Sequence, residues 1–315
     1  MDSSRHLDEA SERRRWPVRI KIGQRGRASL IAYLFLLPAL ILFAALFVYP
    51  LVDVVVMSFS TMSSFGDLLH FGTLSNWATL LTNPETWTVL EVTALWAVVT
   101  VGVTMIFSFP LALVLNERFP LRWLVRTLVI LPWAIPVSVA AIVWEWIYNG
   151  QLGDLNYIAK SLGLIHHYVV WLGGPRLAFA AVVAVQVWTS IPFVTLAILA
   201  ALNGVPSELY EAGHIDGAGP IRSFRYITVP LLRPVTGLVI LISLVWAVNG
   251  FAIIWTLTRG GPADATMIAV MNVYLQAFQS HNLGQASAMA SLLVVLLSVF
   301  AWFYARIYRM DPSES

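Results

Sequence analysis

Six long apolar segments without a charged residue alternate with more polar connections along the chain. They are Ala28–Val52, Val92–Asn116, Thr127–Trp144, Leu177–Leu202, Pro234–Thr258 and Ala286–Ala305. A helix needs about 20 apolar residues, within a range of about 17–25, to cross the hydrocarbon core of a bilayer. The pattern therefore predicts an all-α membrane protein with six transmembrane helices.

A seventh uncharged stretch, Ala265–Ser280, is shorter and contains Asn272, Tyr274, Gln276 and Gln279. Its length favours a re-entrant or interfacial helix on the outer side over a seventh span. Four prolines, Pro110, Pro132, Pro136 and Pro192, fall inside the predicted spans. Each of these prolines can kink its helix. The kinks indicate either spans that line a polar path or ordinary kinked helices packed in a bundle.

Composition agrees with a chain that faces lipid. Hydrophobic residues make up 58% of the 315 residues and charged residues only 11%, whereas soluble domains carry roughly 25% charged residues. The absence of cysteine excludes disulfides, thiolate metal sites and thiol nucleophiles. The net charge of +2 is too small to indicate a nucleic acid as a partner.

The distribution of positive charge predicts the orientation. With the N-terminus in the cytoplasm, sixteen of the nineteen lysines and arginines fall on the inner side, as the positive-inside rule requires. Both termini are then cytoplasmic. We expect a cytoplasmic tail at residues 1–27, a six-span domain at 28–308 and a C-terminal tail at 309–315. The 25-residue first apolar segment exceeds the roughly 7–15 residues of a signal-peptide core, which favours a retained anchor.

The inner loop at residues 203–230 carries the most specific pattern. Ser207 is a good N-cap, and Leu209, Ala212 and Ile215 follow at helical spacing. Gly217, Gly219 and Pro220 predict a break, followed by a second short helix at 221–227 that Pro230 separates from the next span. An apolar ridge on two short helices suits a groove on a partner protein. The alternative, a loop lying on the membrane surface, would favour basic residues that the first helix lacks.

The types and spacing in this loop resemble the EAA loop of ABC-importer permeases, the segment that docks onto a separate ATPase. The matching residues, which the resemblance assigns to ATPase coupling, are Glu211, Ala212, Asp216, Gly217, Ala218, Phe224 and Pro230. Gly213 departs from the alanine usual in the family, at about 1 kcal/mol of helix propensity. The fold implied is that of a type I ABC importer permease in the bacterial plasma (inner) membrane.

The resemblance also implies partners. They are a second homologous permease, a dimer of ABC ATPase subunits and an extracytoplasmic sugar-binding protein. The phosphate-cradling Gly-x4-Gly-Lys-Ser/Thr motif is absent, because neither Lys21 nor Lys160 follows a glycine. We therefore expect the chain to be no enzyme and to bind no cofactor or metal, with ATP and Mg²⁺ used by the partner ATPase.

Two further runs, Leu131–Pro136 and Leu257–Pro262, look like the carbohydrate branch of this family and its maltose-type permease. By position, that resemblance implies sugar contacts at Trp188, Ser190, Phe193, Ser243, Trp246, Asn249 and Gly250. Aromatic rings and small polar groups suit the two faces of a sugar, although the same residues also serve helix packing. Glu145, between two tryptophans at the end of the third span, is either a further sugar contact or a carboxylate solvated at the interface.

No arginine or lysine lies in the middle of a span, which favours a neutral di- or oligosaccharide over an anionic cargo. A glycerol-phosphate or polyol permease stays open because a companion subunit could supply the cation. An ion-coupled carrier that acts alone would need buried ionisable groups, and only Asp53, Glu91 and Glu145 lie near span edges. The sequence shows no cluster of His, Asp and Glu and no nucleophile–base pair, which a membrane-embedded enzyme would need.

Overall fold

The computed structural model describes residues 22–309, with side chains described for residues 33–306, and shows a helical protein. The helices are α1 (Ile22–Phe43), α2 (Tyr49–Ser58), α3 (Ser75–Thr82), α4 (Pro84–Asn116), α5 (Arg122–Ala134), α6 (Val137–Ile147), α7 (Asp154–Ser161), α8 (Pro175–Asn203), α9 (Ser207–Ile215), α10 (Pro220–Ser223), α11 (Val229–Val248), α12 (Phe251–Leu257), α13 (Ala269–Tyr274) and α14 (Leu283–Arg309).

Five helical segments in the described part of the chain are long and apolar enough to cross a bilayer. They are Tyr33–Ser58, Pro84–Asn116, Pro175–Asn203, Pro220–Val248 and Leu283–Arg306. The bent pair α5 and α6 supplies a sixth if both helices count as one span. The structure therefore confirms a mostly helical membrane protein, with five to six candidate spans where six were predicted.

The third predicted span, Thr127–Trp144, is not a continuous helix. α5 ends at Ala134 and α6 begins at Val137, and the two helices are bent by 97°. The break lies at Ile135, which is extended with φ −87° and ψ 130°. The ring of Pro136 disfavours the helical conformation at the preceding residue, which accounts for the end of the helix there.

The fifth predicted span, Pro234–Thr258, is also interrupted. Its long helix ends at Val248, and the short helix α12 begins at Phe251 after a two-residue break. The Asn249 side chain donates from Nδ2 to the Val245 carbonyl oxygen at 2.8 Å, one turn back. The side chain thereby occupies a carbonyl at the helix end, as Asn does where it competes with regular helix hydrogen bonding.

Two prolines inside long helices each follow a π turn. The Tyr49 N–H bonds to the Ala44 carbonyl before Pro50, and the Val229 N–H bonds to the Phe224 carbonyl before Pro230. The extra residue in each turn accommodates a ring that has no N–H and would clash with a regular helix. The expectation that Pro230 separates a short helix from the span is wrong, because the helix is continuous from Pro220 to Val248.

The chain divides into two compact units, Met1–Asp53 and Val54–Ser315. In the first unit, α1 begins at Ile22, six residues before the predicted start of the span. The tail predicted at residues 1–27 therefore falls mostly outside the described residues, and so does nearly all of the tail predicted at 309–315. Both tails stay predictions.

In the second unit, α4 and α8 form the most extensive helix pair and enclose most of the core. The stretch at 265–280 contains α13 and a π turn, Leu275–Gln279, and is too short to span a bilayer. Its residues Ile268, Ala269 and Met271 are fully buried. The Ala269 N–H donates to the Thr93 Oγ1 on α4 at 2.8 Å, which fixes this segment against the second span.

A small antiparallel hairpin, β1 (Ser60–Met62) and β2 (Leu68–Phe71), follows α2. Gly66 lies at its tip with φ 93°. Behind the hairpin, the Asn76 side chain donates to the carbonyl oxygens of Ser58 and Ser60. The hairpin is therefore joined to the start of α3.

Candidate functional site

A cavity of about 320 Å³ opens beside the break in the fifth span. Side chains from α5, α6, α8, α11 and α12 line it. They are Trp133, Val137, Gln186, Thr189, Ser190, Phe193, Trp246, Asn249, Gly250, Phe251, Ala252 and Ile253. None of these lining residues is charged, so the cavity presents aromatic rings, amides and hydroxyls to whatever enters it.

The α8 wall follows directly from helical spacing. Gln186, Thr189, Ser190 and Phe193 are separated by three and four residues and therefore share one face of the helix. The Gln186 Nε2 donates to the Ser190 Oγ at 3.1 Å, whereas the Thr189 hydroxyl donates to its own helix backbone at 2.8 Å. Gln186 and Ser190 thus form a paired polar edge on this wall.

The opposite wall is formed by the end of α11 and the break. The rings of Phe193 and Trp246 lie 4.6 Å apart between centroids, with a tilt of 51°, and join the two walls. Asn249 is exposed and uses its amide nitrogen on Val245. Its amide oxygen has no hydrogen-bond partner among the described residues and is available to a ligand hydroxyl.

Five of the eight predicted sugar contacts line this cavity: Ser190, Phe193, Trp246, Asn249 and Gly250. Trp188 points away from it and packs edge-to-face on Trp144 at 5.6 Å. Ser243 is buried and its Oγ has no hydrogen-bond partner. Glu145 is exposed on α6 and lies outside the cavity lining. The assignment of sugar contacts stays a prediction.

Sequence analysis missed Gln186, which lies one turn before Ser190. A carboxamide within an apolar span is unusual enough to have marked it, because polar groups in membrane helices need a partner. Trp133, Val137 and Phe251 were also missed. Their place in the lining depends on the two helix breaks, which spacing alone does not reveal.

The second candidate region is the loop at residues 203–230, which we call the coupling loop. α9 ends in a Schellman motif, in which the Gly217 N–H bonds to the His214 carbonyl at 3.1 Å and the Ala218 N–H to the Gly213 carbonyl at 2.8 Å. Gly217 adopts φ 78°, a conformation that side chains with a Cβ disfavour. The predicted sharp turn at Gly217 is therefore present.

The coupling loop has two arms, α9 and the segment of α10 and the π turn that follows the turn at Gly217. Two contacts hold these arms together. The Tyr210 hydroxyl and the Thr228 Oγ1 are hydrogen-bonded at 3.0 Å. A Cβ added to Gly213 would lie 3.0 Å from the Ile227 Cδ1, so the glycine permits a close approach of the second arm. The predicted N-cap at Ser207 is wrong, because Ser207 is the first helical residue and Pro206 precedes it without a side-chain cap.

The residues assigned to coupling are mostly accessible in this chain. Glu211, Ala212, Asp216, Gly217 and Pro230 are exposed, Ala218 is half-buried, and Phe224 packs edge-to-face on Phe109 of α4 at 5.7 Å and 87°. A groove of about 440 Å³ lies between the arms. Ile215 is 86% exposed and Ile221 83%, so the tip of the loop presents apolar side chains.

Comparison with known proteins decides the family. Residues 104–310 match the family model described as "Binding-protein-dependent transport system inner membrane component". The chain belongs to this family. The matched region includes the cavity and the coupling loop, and this membership makes the chain a multi-pass transport permease of the ABC importer type.

Two relatives illustrate the similarity. A probable ABC transporter permease protein of Brucella suis is 40% identical over 215 residues, covering 68% of this chain and 74% of the relative. The trehalose/maltose transport system permease protein of Thermococcus litoralis is 39% identical over 233 residues, covering 73% and 77%.

A solved structure shares the fold. It is a bacterial ABC transporter involved in the import of the acidic polysaccharide alginate, at 22% identity and a TM-score of 0.78, covering 92% of this chain and 99% of the solved chain. The expected permease fold is confirmed.

Proposed function

We propose that this chain forms one half of the translocation path of an ATP-driven importer for a neutral di- or oligosaccharide. A second homologous permease supplies the other half, and an extracytoplasmic binding protein delivers the sugar. Two ABC ATPase subunits bind ATP and Mg²⁺ and drive transport from the cytoplasmic face of a bacterial plasma membrane. This chain itself holds no cofactor or metal in this proposal.

The observation that carries the proposal is the two-armed coupling loop in a chain of the permease family. Its exposed apolar tip and the groove between its arms suit a cleft on a partner protein. Glu208 lies in the first turn of α9, where the helix dipole stabilises a negative charge. In this proposal the tip and the groove of the coupling loop bind the ATPase, and its movement is transmitted to the spans through them.

The cavity supports a neutral cargo. Its lining has no guanidinium, ammonium or carboxylate, which an anionic or cationic cargo would require for compensation. Its rings can pack against the C–H faces of a sugar, while Gln186, Ser190 and Asn249 offer hydrogen bonds to hydroxyls. The name of one relative, the diacetylchitobiose uptake system permease protein of Streptomyces coelicolor at 30% identity, supports a saccharide cargo, whereas the neutral charge of the cargo rests on the cavity lining.

An ion-coupled carrier that acts alone is less well supported. It would need an ionisable group along the path. Glu91 and Glu145 are exposed, Asp53 is half-buried, and none of the three lines the cavity. A glycerol-phosphate cargo would need its cation from the second permease, because the cavity lining of this chain has no charged residue. A polyol stays an alternative, since the amides and hydroxyls of the cavity would also bind its hydroxyls.

The energy source separates these functions. Cells that carry the importer are given labelled trehalose, maltose, maltotriose or diacetylchitobiose, and uptake is measured after ATP depletion or after addition of an ionophore at constant ATP. We expect uptake of at least one sugar to stop on ATP depletion and to survive the ionophore. Loss of uptake with the ionophore alone would contradict the proposal.

A further inference from the structure

Four aromatic side chains in series connect the cavity with the protein surface. Phe251, which lines the cavity, stacks on Trp255 at 5.6 Å and 15°. Tyr274 on α13 contacts both of these rings, at 4.9 Å and 5.0 Å. Phe278 in the π turn continues the series from Tyr274 at 5.1 Å. We call these four residues the aromatic path.

Exposure is greatest at the Phe278 end of the aromatic path. Phe251, Trp255 and Tyr274 are each half-buried, and Phe278 is 65% exposed. Rings that serve only as core are covered, as Trp96 is in the same unit. Each ring of the aromatic path keeps an accessible part, so the series leads from the cavity to the surface.

Polar groups accompany the rings. The Arg259 guanidinium lies over the Trp255 ring, 5.5 Å from its centroid. Neither this guanidinium nor the Tyr274 hydroxyl has a hydrogen-bond partner within the part of the chain that the structure describes. An apolar surface bordered by free hydrogen-bond donors matches a sugar, which has an apolar C–H face and a hydroxyl rim.

We propose that the aromatic path is a sugar-stacking surface, along which saccharide units move between the surface at Phe278 and the cavity. The proposal rests on the proposed function, since it requires a saccharide cargo. The rings would hold one unit outside the cavity while another occupies it. The aromatic path therefore matters more for a trisaccharide than for a disaccharide.

The test uses the complete importer with its binding protein in proteoliposomes and measures ATP-driven uptake of labelled maltose and maltotriose. Tyr274→Leu and Phe278→Leu keep an apolar side chain but remove the ring, whereas Tyr274→Phe keeps the ring. Phe303→Leu changes a phenylalanine of similar exposure, 56% against 65% for Phe278, on α14 and outside the aromatic path. ATP hydrolysis stimulated by the binding protein is measured in each variant.

We expect Tyr274→Leu and Phe278→Leu to raise the KM for maltotriose uptake about two- to tenfold, with a smaller change for maltose and unchanged ATP hydrolysis. Tyr274→Phe keeps the ring and loses only the hydroxyl, so it should raise the KM less than Tyr274→Leu does. Phe303→Leu should behave as the wild type does. Equal KM values in all variants, with uptake by the wild type intact, would overturn the aromatic path alone. Import of neither sugar by the wild type would overturn the aromatic path as a route for these sugars, whereas the proposed saccharide cargo is overturned only if trehalose and diacetylchitobiose are not imported either.

Discussion

The indole nitrogen of Trp96 donates a hydrogen bond to the carbonyl oxygen of Ala247 at 2.9 Å. Trp96 is fully buried in the second span, and Ala247 lies at the end of the helix before the break in the fifth span. The Gly250 N–H bonds to the same carbonyl at 3.0 Å. Trp96 therefore fixes the break, and with it the wall of the cavity that Asn249 forms.

Replacing Trp96 with phenylalanine should destabilise the protein and impair transport. The change removes one hydrogen bond and leaves space in a close-packed region, together about 2–3 kcal/mol. We expect a lower midpoint of thermal unfolding in detergent and reduced uptake at normal membrane abundance. Trp87→Phe is the matched control, because Trp87 also donates to a backbone carbonyl, that of Leu81 at 3.1 Å, but at an exposed position. Equal effects of the two substitutions would argue against the role given to Trp96.

Gly217→Val should abolish uptake while the chain still reaches the membrane. A residue with a Cβ at positive φ costs about 1–2 kcal/mol, and more when β-branched, so the turn between the arms of the coupling loop changes. Gly163 provides a control with the same local geometry, since it follows α7 with φ 71° and the same pair of Schellman hydrogen bonds. Gly163→Val should retain ATP-driven uptake. Normal transport by Gly217→Val would contradict the coupling role.

The Tyr210–Thr228 hydrogen bond should contribute to coupling rather than to cargo recognition. Tyr210→Phe removes it at about 0.5–1.5 kcal/mol and loosens the two arms. We expect less uptake per ATP hydrolysed with an unchanged KM for the sugar. Tyr157→Phe is the control, because Tyr157 is an exposed tyrosine on α7, outside the coupling loop, whose hydroxyl makes no hydrogen bond among the described residues. A changed KM for the sugar in Tyr210→Phe would indicate a role in cargo recognition and would contradict this prediction.

Substitution of Ser190 and of Ser243 tests whether the sugar binds in the cavity or near the packed interior. Ser190→Ala removes a hydroxyl that lines the cavity, and the loss of one hydrogen bond should raise the KM for uptake about two- to tenfold. Ser243→Ala removes a buried hydroxyl that has no partner, so uptake should be unchanged and stability equal or higher. The reverse result would move the sugar site toward Ser243, which the family resemblance assigns to the site together with Ser190.

Sequence patterns predict the spans well because each apolar segment must face lipid or a packed neighbour over its full length. They also locate the coupling loop, whose glycines determine the turn. They fail at Ile135 and at Asn249, where a helix breaks inside an uncharged segment. Hydropathy does not register these breaks, and the cavity forms at both of them.

The residues of the candidate site were predicted only in part, because the sequence does not show which residues of a span face the cavity. Ser190 and Phe193 follow from helical spacing, and Gln186 shares that spacing and was overlooked. Trp188 lies between Gln186 and Ser190 in sequence but on the other face of α8, where it packs against Trp144. Which face of a fully apolar helix turns inward depends on its neighbours, and a single sequence does not contain that information in readable form.

The most direct test of the account is to purify the tagged chain from its native membrane in mild detergent and identify what accompanies it by mass spectrometry. The account predicts an ATPase with a phosphate-binding loop, a second permease with its own coupling loop and a sugar-binding protein, and loss of the ATPase in Gly217→Val. Recovery of the chain alone, together with sugar transport in liposomes without ATP, would contradict it.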